Sequence, residues 1–325
     1  MPVITYREAV AQALREALDE DPRAFLVGED IGPYGGSFAV TKGFWEEYGQ
    51  RRVKDSPLSE SAIVGAGVGA AMAGLRPIVE LMTINFSLLA MDQIVNHAAK
   101  IRYMSGGQFS IPLILRTVTG AGAAVAATHS QSFEGWYASV PGLQVVVPST
   151  PRDALGLFRS CRDLLDPVMY VEHILLYSSR GEVPEDGFKI PLGQAEVKRA
   201  GNDVTIVSYS RMVQVSLRAA EELARDGIEA EVVDLRTLRP LDMETVVQSV
   251  KKTHNALVVE ETHKQGGFAG EVVSRIQEEA FDSLDSPVGR VAGEEVPIPY
   301  SVALEHLAVP DAGRIAQAAR NLLNR

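Results

Sequence analysis

The chain has one cysteine in 325 residues, Cys161, which leaves no partner for an intrachain disulfide and fits a compartment where thiols stay reduced. No Cys/His cluster with metal-ligand spacing accompanies it. Positive charge is also short: 31 Lys and Arg stand against 42 Asp and Glu, a net charge of −11. That balance argues against nucleic acid or an anionic membrane as a partner. The small, apolar run 61–75 is too short and too rich in Gly and Ala to span a bilayer. A G-x-S-x-G elbow is missing, so that hydrolase pattern is excluded, and no solenoid period or low-complexity tract occurs. The N-terminal VITYREAVAQALREALDED reads as an amphipathic surface helix rather than a targeting segment. A cytoplasmic enzyme or enzyme subunit is the expectation.

What is present is an alternation of short apolar runs and helical stretches. AFLVG (24–28), IVELM (78–82), IPLILRTV (111–118), LQVVVPS (143–149) and VMYVEH (168–173) read as buried strands. Helices are expected between them at 61–75, 87–104 and 151–164. The same rhythm restarts after residue 200, from DVTIVSYS to GGFAGEVVSRIQEEAF. The expectation is α/β: two three-layer domains with mostly parallel sheets, 1–180 and 199–325, joined by a linker at 181–198 rich in Pro and Gly.

Three features carry chemistry. Glu60 stands at the head of a helix containing Gly65, Gly67 and Gly69, each of which costs about 1 kcal/mol against Ala. Close approach by another element would recover that cost. Ser59 is the expected N-cap, placing Glu60 in the first turn either as a cap or as a working acid. Gly65-Ala-Gly67-Val-Gly69-Ala70 also satisfies a dinucleotide fingerprint, with Glu80 beyond it, but follows a turn rather than a strand, so helix packing is the better reading. His129 ends a small-residue loop, 119–137, either bracing it or moving a proton near neutral pH. Glu29 and Asp30 follow AFLVG at the carboxyl end of an expected parallel strand, where ligands of open α/β sheets bind.

VGEDIGPYGGSFAVTKG, DSPLSESAIVGAGVGAAMAGLRPIVE, MTINF, ATHSQS, PGLQVVVPSTPRDA and DLRTLRPLDMETV, in that order, resemble the beta subunits of thiamin-diphosphate-dependent 2-oxoacid dehydrogenases. The bacterial pyruvate-decarboxylating members are nearest in likeness, which makes a bacterial protein the expectation, with the acetoin and branched-chain members as alternatives. The resemblance implies a pyrimidine-binding domain followed by a transketolase C-terminal-type domain. Glu60 matches the glutamate that faces N1′ of the thiamin aminopyrimidine, and Phe86, with Met82, matches the pocket around that ring. His129 matches the histidine that supports acetyl transfer to a lipoyl group. Glu29 resembles an acid of the carboxylate path between paired sites. Together these residues weigh against a non-catalytic assembly subunit.

Two departures and one absence belong to the same resemblance. Leu89 stands where many pyruvate-type members carry Gln. A structural potassium ion would fall to Leu113, Cys161 and Asp166, with the acid displaced from the family's spacing. The G-D-G motif that holds Mg²⁺ and the diphosphate does not occur, and Glu185-Asp186-Gly187 lies in the linker. The resemblance therefore implies half an active site, completed by an alpha subunit in an α2β2 heterotetramer. The lipoyl-bearing dihydrolipoyl acetyltransferase core is the implied further partner.

Overall fold

A computed structural model describes residues 1–185 and 187–324; Asp186 of the linker and the terminal Arg325 lie outside the described residues. The chain divides into two compact units, the first made of 1–119 and 136–192, the second of 120–135 and 193–325. The division expected at 1–180 and 199–325, with a linker at 181–198, differs from this at the loop 120–135, which groups with the second unit.

The first unit begins with β1 (Val3–Thr5) and α1 (Tyr6–Glu20). Thr5 caps α1 through a reciprocal box: its hydroxyl accepts from Glu8 N at 3.1 Å, and Glu8 Oε2 accepts from Thr5 N at 2.6 Å. Tyr6, Ala9, Val10, Ala13, Leu14, Ala17 and Leu18 form the buried stripe, at the spacing an amphipathic helix needs. There follow β2 (Ala24–Gly28), α2 (Phe44–Tyr48), β3 (Val53–Asp55), α3 (Glu60–Met72) and β4 (Arg76–Leu81). Next come α4 (Ile101–Met104), β5 (Ile114–Thr119), α5 (Glu134–Ala138) and β6 (Gln144–Val146). The unit closes with α6 (Pro151–Cys161), β7 (Val168–His173) and β8 (Arg180–Glu182). Its six central strands are all parallel, in the order β6-β7-β5-β4-β2-β3. That arrangement buries both faces, which is why β5 and β7 are buried at every residue.

The second unit contains β9 (Glu196–Arg199), β10 (Val204–Ser208), α7 (Arg211–Arg225), β11 (Ala230–Asp234) and β12 (Thr237–Arg239). It continues with α8 (Met243–Thr253), β13 (Ala256–His263), α9 (Ala269–Ala280), β14 (Gly289–Gly293), α10 (Val302–Ala308) and α11 (Ala312–Leu322). Its sheet runs β14-β13-β10-β11-β9, with only β9 antiparallel. Alternation along β10 sets the layers. Val204 and Ile206 face α7 and α11, whereas the Thr205 hydroxyl bonds Ser249 and Thr253 of α8 on the other face, each at 2.7 Å. The α/β architecture of two units with mostly parallel sheets is as expected.

Three local expectations change. The helix read at 87–104 is broken into a 3-10 turn over Ile84–Ala90, a π turn over Gln93–Ala98 and the short α4. The Ser87 hydroxyl donates to Ile84 O at 2.5 Å, tightening the first turn, and π turns of this kind gather at functional sites. Ser59 occupies the N-cap position of α3 but makes no side-chain cap bond, its backbone lying at φ −170°, ψ 78°. The segment 181–198 is not featureless, since it holds the end of β8, which pairs with β1, and the start of β9.

Candidate active site

The sheet of the first unit delivers its candidate residues to one rim. In a parallel sheet all carboxyl ends point the same way, and β4, β2 and β3 are neighbours with Gly28 opposite both Glu80 and Asp55. Glu29 and Asp30 leave β2 at this rim, Glu60 opens α3 just after β3, and Met82 and Phe86 follow β4. The tight 3-10 turn beside α3 places Phe86, half-buried, only four residues beyond the half-buried Met82.

Glu60 is 4% exposed, and its Oε1 is buried without a hydrogen-bond partner. An unpartnered carboxylate oxygen in a protein interior costs free energy that a fold recovers only through a ligand or a special role. The neighbourhood is acidic. The Glu29 carboxyl is held above its ordinary range, first by burial, then by the negative charge of Glu60, with Asp30 and Asp55 adding to it. Asp30 itself sits at φ 56°, a left-handed conformation uncommon outside glycine.

The glycines of α3 separate into distinct roles. A Cβ on Gly67 would lie 2.6 Å from Val79 Cγ2 and 3.3 Å from Leu113 Cδ1, so this glycine lets α3 sit directly on β4 and on the residue leading into β5. At Gly65 a Cβ would meet Gln93 Oε1 at 3.0 Å, while at Gly69 nothing lies within 4 Å. Part of the helix cost is thus recovered by this chain's own sheet. Glu80 is not a ribose-binding acid here. It pairs with Arg116, which also faces Glu172, and Tyr177 donates its hydroxyl proton to Glu172 at 2.7 Å. This buried Glu80–Arg116–Glu172 group, across β4, β5 and β7, escaped sequence reasoning because its members are 36 and 56 residues apart in the chain.

His129 belongs to the second unit and is exposed. Its Nδ1 lies 2.9 Å from Thr128 Oγ1, and its backbone N–H donates to Ala126 O at 3.2 Å. The residues named for potassium lie elsewhere, toward the amino end of β5. Leu113 O accepts from Val168 N, Cys161 O accepts from Leu164 N, and Asp166 pairs with Arg102 at 2.7 Å. Among the described residues no group of three or more His, Cys, Asp or Glu is placed to hold a metal ion.

Fold and rim together define the class. Residues 3–178 match the family model described as transketolase, pyrimidine binding domain, and residues 193–315 match that of transketolase, C-terminal domain. A solved structure described as split gene transketolase, inactive beta4 tetramer, superposes with a TM-score of 0.81 over 99% of this chain and 98% of its own, at 24% identity, a likeness of fold. Among curated relatives, the pyruvate dehydrogenase E1 component subunit beta-1, mitochondrial, of Arabidopsis thaliana is 46% identical over 99% of this chain and 90% of its own length. The pyruvate dehydrogenase E1 component subunit beta of Rhizobium meliloti (strain 1021) is 44% identical over 98% and 70%. The chain belongs to the family of pyruvate dehydrogenase E1 beta subunits, a thiamin-diphosphate-dependent oxidoreductase family.

These relatives correct the expectation of a bacterial cytoplasmic protein. Mitochondrial and bacterial members stand at 46% and 44% identity, so likeness does not separate the two origins. Among the described residues no helix is long and apolar enough to cross a membrane.

Proposed function

We propose that this chain supplies the pyrimidine-activating half of a pyruvate-decarboxylating site and passes the acetyl group to a lipoyl-protein. The observation that carries the reading is the buried, unpartnered Oε1 of Glu60 at the carboxyl rim of the sheet. Thiamin diphosphate, when bound, supplies the electron sink for cleaving the carboxylate from a 2-oxoacid. Glu60 holds and exchanges a proton at N1′ of the aminopyrimidine, and its enclosed position shields that exchange from bulk water. Phe86 and Met82 offer half-buried apolar surface against the pyrimidine ring. Glu29, whose carboxyl is held above its ordinary range first by burial and then by the charge of Glu60, is the acid that would pass protons along the rim to Glu60. His129 moves a proton at the lipoyl sulfur during acetyl transfer.

The diphosphate and its Mg²⁺ fall to an alpha subunit, because this chain contains no G-D-G. An α2β2 assembly is further supported by α3, whose Ala62, Ala66 and Gly69 form an exposed, small-residue face fit for close approach. The lipoyl-bearing acetyltransferase core is the acceptor's carrier.

The test is Glu60→Gln in the reconstituted assembly, with pyruvate, acetoin and 3-methyl-2-oxobutanoate assayed in parallel on the unmodified protein. A fall of about 10²-fold or more in decarboxylation, with assembly intact, is expected for the loss of a proton-transfer group. Unchanged activity refutes the role of Glu60. Preference of the unmodified assembly for acetoin or the branched acid refutes pyruvate as the substrate.

A further inference from the structure

The loop bearing His129 follows a path that its sequence alone does not favour. Gly120 and Gly122 have φ of 96° and 108°, and Ala124 and Ala126, which carry a Cβ, have φ of 54° and 64°. Such a path persists where the surroundings over-determine it. Here the surroundings are two carboxylates of the same unit. Ala121 N donates to Glu261 Oε1 at 2.6 Å, Gly122 N to Glu305 Oε1 at 2.8 Å, and Ala124 N to Glu305 Oε2 at 3.1 Å. At the far end Gly120 N donates to Gln131 O at 3.5 Å, so His129 is carried between this closure and the Glu305 contacts.

Glu305 lies on α10, is 0% exposed, and stands beside a small apolar cluster of Ala121, Ile298, Ala308 and Val309. A buried carboxylate in such surroundings is costly unless its oxygens are bonded, and an aliphatic residue would fill the space more cheaply. Both of its oxygens are bonded to the loop. Glu261 differs in also reaching Arg211, at 3.2 Å.

We propose that Glu305, assisted by Glu261, is a positioning residue for His129: its carboxylate grips the amides of Gly122 and Ala124 and so fixes the loop that presents the histidine. The inference rests on the reading of His129 given above. Its action is on acetyl transfer to lipoyl, not on decarboxylation, because Glu305 bears on the loop and not on the Glu60 rim.

The test uses the full chain assembled with its alpha subunit and the variant Glu305→Gln, which keeps the shape but turns one acceptor oxygen into an NH₂ facing a backbone N–H. Amide exchange at Gly122 or Ala124 is expected to quicken by about tenfold or more as one charge-assisted bond is lost. Acetyl transfer to a lipoyl domain should fall by about tenfold, while decarboxylation read with an artificial electron acceptor stays within about twofold. Unchanged exchange at both amides overturns the grip. Quicker exchange with both half-reactions falling in parallel, or neither falling, overturns the positioning role. If the Gln variant does not fold, Glu305→Asp, which keeps the charge but falls one methylene short, is read against the same outcomes. Should the unmodified assembly acetylate no lipoyl domain, the reading of His129 fails on its own account, and the exchange rates still decide whether Glu305 grips the loop.

Discussion

Gly67 and Gly69, two residues apart on α3, should respond to the same substitution with opposite signs. Replacing either by Ala gains about 0.5–1 kcal/mol of helix propensity, since each is interior to the helix and neither has a positive φ. At Gly69 nothing lies within 4 Å of the new Cβ, so that gain is realised in full by the isolated chain. At Gly67 the Cβ falls 2.6 Å from Val79 Cγ2, well inside contact distance. Val79 is wholly buried in β4 and β-branched, so it cannot swing aside, and Leu113 closes the other flank at 3.3 Å. Overpacking of this kind costs about 1–3 kcal/mol, leaving Gly67→Ala destabilised by roughly 0–2.5 kcal/mol net. The two variants should therefore differ by about 1–3 kcal/mol, read by denaturant titration of the isolated chain with amide exchange in α3 as a local check. Equal shifts, or a stabilised Gly67→Ala, would refute the claim that packing on β4 explains Gly67. In the assembled protein Gly69→Ala should instead weaken subunit association, if its open face is where the alpha subunit sits.

Arg116→Met leaves Glu80 and Glu172 buried without their shared cation and should cost about 3–5 kcal/mol of stability; a loss below about 1 kcal/mol would show that the carboxylates find other partners. Glu260, on β13, is wholly buried, and burial pushes its carboxyl up to about 7 from 4.5, with the charge of Glu134 adding to the effect. Because the folded-state value is the higher one, the folded state binds more protons between those limits. The contribution of Glu260 is thus complete below about pH 4.5 and is lost as pH rises through about 7, a change on the order of 3 kcal/mol. Glu260→Gln should flatten the fall in stability between those two pH values, followed by denaturant midpoints across pH; an unaltered slope would assign the effect to other groups.

Much of this was written locally. Continuous apolar runs marked β2 and β7, and helical spacing marked α6, to within a few residues, because each element buries its own local set of apolar side chains. The order of motifs around Glu60, Phe86 and His129 was equally local, and it carried the family before any contact was known. Boundaries failed where side chains compete for the backbone. Ser87 draws in Ile84 O and breaks a helix that apolar spacing alone would have continued, and Ser59 holds a cap position without capping.

The rest depended on residues far apart in the chain. Three glycines in one helix look alike until Val79 and Leu113 arrive beneath one of them and nothing arrives beside another. Glu80 has no assigned role in the sequence until β5 brings Arg116 alongside it. Glu305 carries no signal at all in its own helix, and only the folded second unit sets it against the amides of a loop more than 180 residues earlier. Apolar spacing is a property of neighbours in sequence. The burial of a charge, and the partner that makes it tolerable, exist only once the chain has closed around them.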